Sequence, residues 1–128
     1  MTPTEPGQVA ELFERYFKAG DLEGLTSLYE DDARIVPGAG QEPIVGVPGI
    51  KEFLQGFLAS GATVTILAST SVQSGDIALT HSRWRMEQPG GEPMEGVTAE
   101  VVRRQPDGSW LYAVDNPWGG AVLATPTP

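Results

Sequence analysis

The hydrophobic period of this chain changes once, at Gly61, and that change narrows the fold to one class. Before it, Val9, Leu12, Phe13, Tyr16 and Phe17 fall at i, i+3, i+4, i+7 and i+8, a continuous apolar stripe down a helix starting near Gln8. Ile50, Phe53, Leu54, Phe57 and Leu58 repeat the template behind Pro48, which suits a first helical turn. Between them, Gly20 can follow one helix end and Asp21 can cap a short second helix. That second helix is marked by Leu22, Leu25, Leu28 and Tyr29 and is expected to end near Asp31-Asp32. After Gly61 the chain reads as sheet. Strands are expected over Ala62 to Val72, Ile77 to Glu87 and Met94 to Arg104, with a final hairpin from Glu100 to Trp118. The turns are Ser74-Gly75-Asp76, Pro89-Gly90-Gly91 and Pro106-Asp107-Gly108. Arg34 to Val36 and Ile44-Val45 add short strands. Helices first and an antiparallel meander afterwards is the α+β pattern: a curved antiparallel sheet with three helices from the N-terminal half on its concave face. One end of that concavity is free to remain a cavity.

No repeat or internal boundary interrupts the chain, so 1–128 reads as a single domain with its ordered core over about 8–118. Met1 to Gly7 is expected to be a frayed lead-in, and Gly119 to Pro128 an arm or loose tail.

Composition removes several function classes. There is no cysteine and only one histidine, which excludes disulfides, thiolate chemistry and multi-histidine metal sites. A net charge of -9 opposes binding to nucleic acid or anionic membrane. No basic segment followed by an apolar run opens the chain, and no apolar run is long enough to span a bilayer, so the expectation is a cytoplasmic protein without membrane or nucleic-acid partners.

The candidate chemistry lies in the strands. Strict alternation puts Leu111, Ala113 and Asp115 on one face of the last strand and Trp110, Tyr112 and Val114 on the other. Asp115 is then either a pocket acid or a turn cap ahead of Asn116 and Pro117. Glu100 sits mid-strand in Val-Thr-Ala-Glu-Val-Val, where a carboxylate needs solvent or a partner. In an apolar cavity its pKa would rise, and on the convex face it would not. His81 and Trp84 occupy opposite faces of one strand, so only one can enter a cavity unless a bulge intervenes. The arginines at 83 and 85 share the His81 face, which favours Trp84 inward, with His81 a reserve general base. Tyr16 and Tyr29 read as core aromatics or pocket walls. Asp31-Asp32 lacks further oxygen ligands nearby and reads as a helix-end pair rather than a metal site.

The segments Ala19-Gly20-Asp21-Leu22-Glu23-Gly24-Leu25, Tyr29-Glu30-Asp31-Asp32-Ala33, Gly46 with the helix over Ile50 to Phe57, and Asp107-Gly108-Ser109-Trp110 resemble the nuclear transport factor 2-like superfamily. The nearest likeness is to the SnoaL-like polyketide cyclases and ketosteroid isomerases. The ending Val114-Asp115-Asn116-Pro117-Trp118-Gly119 also resembles small bacterial relatives associated with enediyne biosynthesis, the SgcJ/EcaC-like group. The resemblance implies a cone-shaped, cystatin-like fold. It also places residues: Phe13 falls where the isomerases keep an oxyanion-binding tyrosine, and Pro37 where they keep a general-base aspartate. Glu100 falls on their protonated acid, and Asp115 on a cavity-facing aspartate of the epoxide hydrolases. Steroid isomerisation by the family route is therefore not expected.

Two functional expectations follow. One is a cofactor-independent isomerase, cyclase or hydrolase acting on a hydrophobic, oxygenated molecule of polyketide or terpenoid kind. Asp115 would be its base and Glu100 its acid or oxyanion donor, with Trp84, Phe13, Tyr16, Tyr29 and Asn116 around the substrate. The other is a non-catalytic binding module of the same shape. A homodimer is also expected, because a stripe of Trp110, Tyr112 and Val114 on the outer face would need cover.

Overall fold

The computed structural model describes residues 2–123, with the backbone alone at 121 and 122. Helix α1 spans Gln8–Lys18, α2 Leu22–Thr26 and α3 Val47–Ala59; strands β1 to β7 span Tyr29–Ile35, Ile44–Val45, Thr63–Ser74, Ile77–Glu87, Met94–Val97, Ala99–Arg104 and Trp110–Asn116. A short 3-10 turn covers Gly119–Leu123. The tail expected beyond it, from residue 124 onward, lies outside the described residues. Among the described residues no helix is long and apolar enough to cross a membrane.

The strands form one sheet in the order β2-β1-β7-β6-β4-β3, with β5 beside β4. It is antiparallel except where β1 runs parallel to β7, which makes it mixed rather than a pure meander. That pairing exists because the second helix is shorter than its leucine spacing predicts. Thr26 Oγ1 donates back to Leu22 O (3.1 Å) and Ser27 Oγ to Gly24 O (2.6 Å), engaging carbonyls at the helix end. Leu28 O then accepts from Tyr112 N (2.7 Å), and Tyr29 opens a strand instead of closing a helix. Asp31 and Asp32 consequently sit exposed in β1, not at a helix end.

The break between α1 and α2 follows the sequence. Gly20 adopts φ +67°, and Asp21 Oδ1 accepts from Gly24 N (2.9 Å) as an N-cap. The lead-in is more ordered than its prolines imply: Pro3 is fully buried, and its carbonyl accepts from Trp110 N (3.0 Å).

Helices and sheet close over a core of Leu25, Leu28, Ile35, Ile50, Val102 and Trp110. α1 lies along β3, where Glu14 Oε1 accepts from Ile66 N (2.7 Å) beside a register shift at Leu67. A second irregularity decides the site. On β7, Val101 faces Val114 and the next residue, Val102, faces Tyr112, leaving Ala113 as an extra residue in a bulge. The strict alternation expected for the last strand therefore fails. Trp110 and Tyr112 point into the core at 2 % exposure each, and Asp115 faces inward as well. The outer stripe of Trp110, Tyr112 and Val114 does not exist; Val114 alone is exposed.

Candidate functional site

The concave side of the sheet holds a cavity of about 100 Å³ between α1, α3 and strands β1, β3, β4, β6 and β7. Its helical wall is aromatic. Phe13 stacks on Phe17 at 5.9 Å between centroids, and Phe53 meets Phe57 edge-on at 5.0 Å. These rings come from the two amphipathic stripes, so the face that builds the core also builds the pocket. Trp84 and Trp118 line it as well, edge-to-face at 5.8 Å. Gly96 sits against Trp84 because a Cβ there would lie 2.6 Å from its Cζ2. Trp84 Nε1 donates to Pro117 O (2.7 Å).

Alternation along β4 is unbroken, which settles the choice between its two candidates. Ala78, Thr80, Ser82, Trp84 and Met86 are buried, while His81 is exposed on the opposite face. The expectation of His81 as a reserve base is corrected by this geometry: its side chain points away from the cavity and touches none of the acids.

Glu100 and Asp115 are both 4 % exposed and stand opposite one another across β6 and β7. Each lines the cavity, and they are hydrogen-bonded to each other. Thr98 Oγ1 (2.9 Å) and Thr80 Oγ1 (3.1 Å) donate to Glu100 Oε1. Thr98 is held by the break between β5 and β6, where its own Oγ1 accepts from Ser82 N (2.8 Å). On the other acid, Tyr29 Oη donates to Asp115 Oδ2 at 2.6 Å. Tyr112 stands close enough to Glu100 to feel its charge, and its ring lies 5.0 Å from that of Tyr29.

The electrostatics follow from this arrangement. Burial, then the neighbouring Asp115 charge, pushes Glu100 up to about 8, against the lowering effect of the two threonine bonds. Burial raises Asp115 as well, but the donors Tyr29 and Glu100 hold it to about 6. At neutral pH the pair thus holds one proton between its two carboxyls. Tyr29 and Tyr112 remain protonated, pushed well above the ordinary phenol value by burial first and by the two acids next.

The remaining expectations divide. Phe13, Trp84, Glu100 and Asp115 line the cavity together, and Pro37 lines it too. Tyr29 lies behind Asp115 as its donor. Tyr16 is not at the cavity; it packs where α1 meets α2, so close that a Cβ on Gly24 would lie 2.5 Å from its Cδ1. Asn116 is not a wall residue either: its Oδ1 accepts from Trp118 N (3.1 Å) and its Nδ2 donates to Gly119 O (3.2 Å), shaping the turn that carries Trp118. Sequence reasoning missed Thr98, Tyr112 and Trp118. Thr98 was open to it, being two residues from Glu100 on one strand face; Tyr112 was hidden by the bulge. Among the described residues no cluster of three or more His, Asp or Glu side chains could hold a metal ion.

Comparison with known proteins agrees with this architecture. The structure resembles an NTF2-like protein with a cystatin-like fold from Novosphingobium aromaticivorans, with TM-score 0.72 and 18 % identity over 92 % of this chain and 86 % of the other. A proposed dehydratase of the NTF2-like family from Streptomyces avermitilis gives TM-score 0.72 and 20 % identity over 86 % and 89 %. A proposed ketosteroid isomerase from Shewanella frigidimarina gives 0.74 and 18 % over 86 % and 91 %. At such identities the likeness is one of fold. The family model of the SnoaL-like domain matches residues 9–113, from the first helix into the last strand. The chain accordingly belongs to the SnoaL-like family, and its fold is the one seen in the NTF2-like proteins it resembles.

Proposed function

We propose that this chain is a cofactor-independent enzyme that moves protons on a hydrophobic, oxygenated small molecule of polyketide or terpenoid kind. The observation that carries the proposal is the Glu100–Asp115 pair: two buried acids, direct cross-strand partners, in the wall of an otherwise largely apolar cavity. Asp115, ionised at neutral pH, would take a proton from an activated C–H or from water, while Glu100 would supply one to the oxygen on which charge develops. Dehydration and isomerisation, the activities attached to two of the similar structures, both need such a pair of steps. Pro37 and Phe13 stand where a steroid isomerase of this fold keeps its base and tyrosine, so that substrate is not proposed.

A binding module is the second reading. It is favoured by one observation: the Asp115 carboxylate already accepts from Tyr29 and Glu100, which blunts its basicity. Native mass spectrometry of protein purified from its own host would identify a retained ligand, and that compound would then be offered to wild type and Asp115→Asn. Turnover that falls by roughly 100-fold or more in the variant supports the enzyme. Turnover equal in both would show that Asp115 is not the base, and turnover absent in wild type leaves the binding module.

The proposal also takes the chain as a two-fold dimer through the outer face of the sheet. Val72, Leu79, Val101 and Val114 are successive cross-strand neighbours over β3, β4, β6 and β7 and form an apolar row opposite the acid pair. Val72, Leu79 and Val114 are 70 %, 46 % and 39 % exposed.

A further inference from the structure

Trp118 carries a hydrogen-bond donor that no described residue answers. Its indole Nε1 is buried and without a partner, and the ring forms part of the cavity wall. Its neighbour Trp84 shows the ordinary solution, donating Nε1–H to Pro117 O at 2.7 Å. A buried N–H left unmatched is destabilising and uncommon, and a pocket is where a ligand can supply the missing acceptor. The turn that holds the indole is braced on both sides by Asn116, through Trp118 N (3.1 Å) and Gly119 O (3.2 Å).

The other polar groups around the cavity are engaged with one another. Tyr29 donates to Asp115, and Thr80 and Thr98 donate to Glu100. The Ser82 hydroxyl is shared with Ser69 at 2.9 Å, and Trp118 Nε1 is the buried polar side-chain atom among the described residues that has no partner. An entering oxygen would find its free donor at Trp118. We infer that the Trp118 Nε1–H anchors an acceptor oxygen of the ligand, and that the site thereby selects an apolar ring compound carrying a carbonyl group. An amine head would suit Asp115 but leave the indole unanswered, and a plain hydrocarbon would suit neither. Trp118 lies beyond residues 9–113, the stretch matched by the family model. The inference rests on the cavity being a small-molecule site, as proposed above, but not on catalysis there.

The probes are 1-tetralone and tetralin, which share a fused ring and differ by one carbonyl oxygen. Proton–nitrogen spectra resolve the indole N–H signals of Trp84, Trp110 and Trp118, assigned by single Trp→Phe variants. Tetralone is expected to move the Trp118 signal downfield, and tetralin to leave it in place. Trp118→3-benzothienylalanine replaces the N–H by sulfur at nearly constant shape, and should reduce the ratio of ketone to hydrocarbon affinity by roughly tenfold. Asp115→Asn should retain the ketone preference, which separates this anchor from the acid–base reading. An unchanged affinity ratio in the sulfur variant would overturn the inference. So would tetralone binding with the Trp118 signal unmoved, as for an N–H held against the Trp84 ring, and so would failure of both compounds to bind.

Discussion

Glu100 and Asp115 are direct cross-strand partners that hold one proton between them, with Tyr29 donating to the free side of Asp115 at 2.6 Å. Cross-strand acids on a solvated face would repel weakly through water. Here both are 4 % exposed, and burial is the first cause that raises each, so the proton stays.

The fold should therefore weaken as pH rises. Glu100 and Asp115 titrate near 8 and near 6 when folded, against ordinary values of 4.5 and 3.8. Between about pH 4 and about pH 8 the folded chain binds more protons than the unfolded chain, so the pair's contribution is full at the acid end and is lost through that window. Glu100→Gln removes the upper step. Urea unfolding of both proteins from pH 5 to 9 should show wild type losing stability relative to the variant up to about pH 8 and levelling off beyond it. Parallel curves would mean that Glu100 is not a desolvated acid.

Replacing Asp115 by Asn keeps the shape and removes the charge. Since the Asp115 charge is the second cause of the Glu100 shift, Glu100 should titrate lower in the variant, yet still above its ordinary value because burial is the first cause. At pH 8 the variant should be more stable than wild type by roughly 1 kcal/mol, a buried charge having been removed. Carbon-detected titration of the Glu100 carboxyl checks the shift. An unmoved Glu100 would show that the two acids do not interact.

The acids were legible in the sequence because a carboxylate inside an apolar strand is conspicuous whatever the register. The helices α1 and α3 were legible because five apolar residues on one stripe leave little choice. The faces of the last strand were not, since strict alternation gives no sign of the Ala113 bulge that brings Tyr112 and Asp115 into one cavity. Leu28 and Tyr29 continue a helical spacing, yet Tyr29 becomes β1 because β7 supplies a parallel partner 83 positions away at Tyr112. His81 and Trp84 needed only an uninterrupted β4, and the irregularity fell instead on β3 at Leu67.

Gly119 holds the far wall of the cavity in place. Its φ is +51°, and a Cβ there would lie 2.3 Å from Val97 O, so backbone must move to admit a side chain. Gly119→Ala should destabilise the fold by about 2 kcal/mol and displace Trp118 beside it. Thermal unfolding together with the Trp118 indole signal reads both effects. An unchanged melting temperature and an unmoved signal would show that the turn gives way without disturbing the pocket.

The outer face of the sheet offers the last test. Leu79 is 46 % exposed at the middle of the row Val72–Leu79–Val101–Val114, and His81 lies two residues along on the same face of β4. Face-to-face packing of two sheets about a two-fold axis would cover this row twice over, and stable interfaces of that kind bury about 800 Å² per partner. Each chain carries a net charge of -9, so the dimer should tighten with added salt as repulsion is screened. Leu79→Glu would put two carboxylates into the interface without touching the cavity, because residue 79 points away from Glu100 and Asp115. Sedimentation at micromolar concentration should show wild type as a dimer and the variant as a monomer of unchanged fold. A wild-type monomer across that range would mean that the apolar row stays wet and that the cavity works in a single chain.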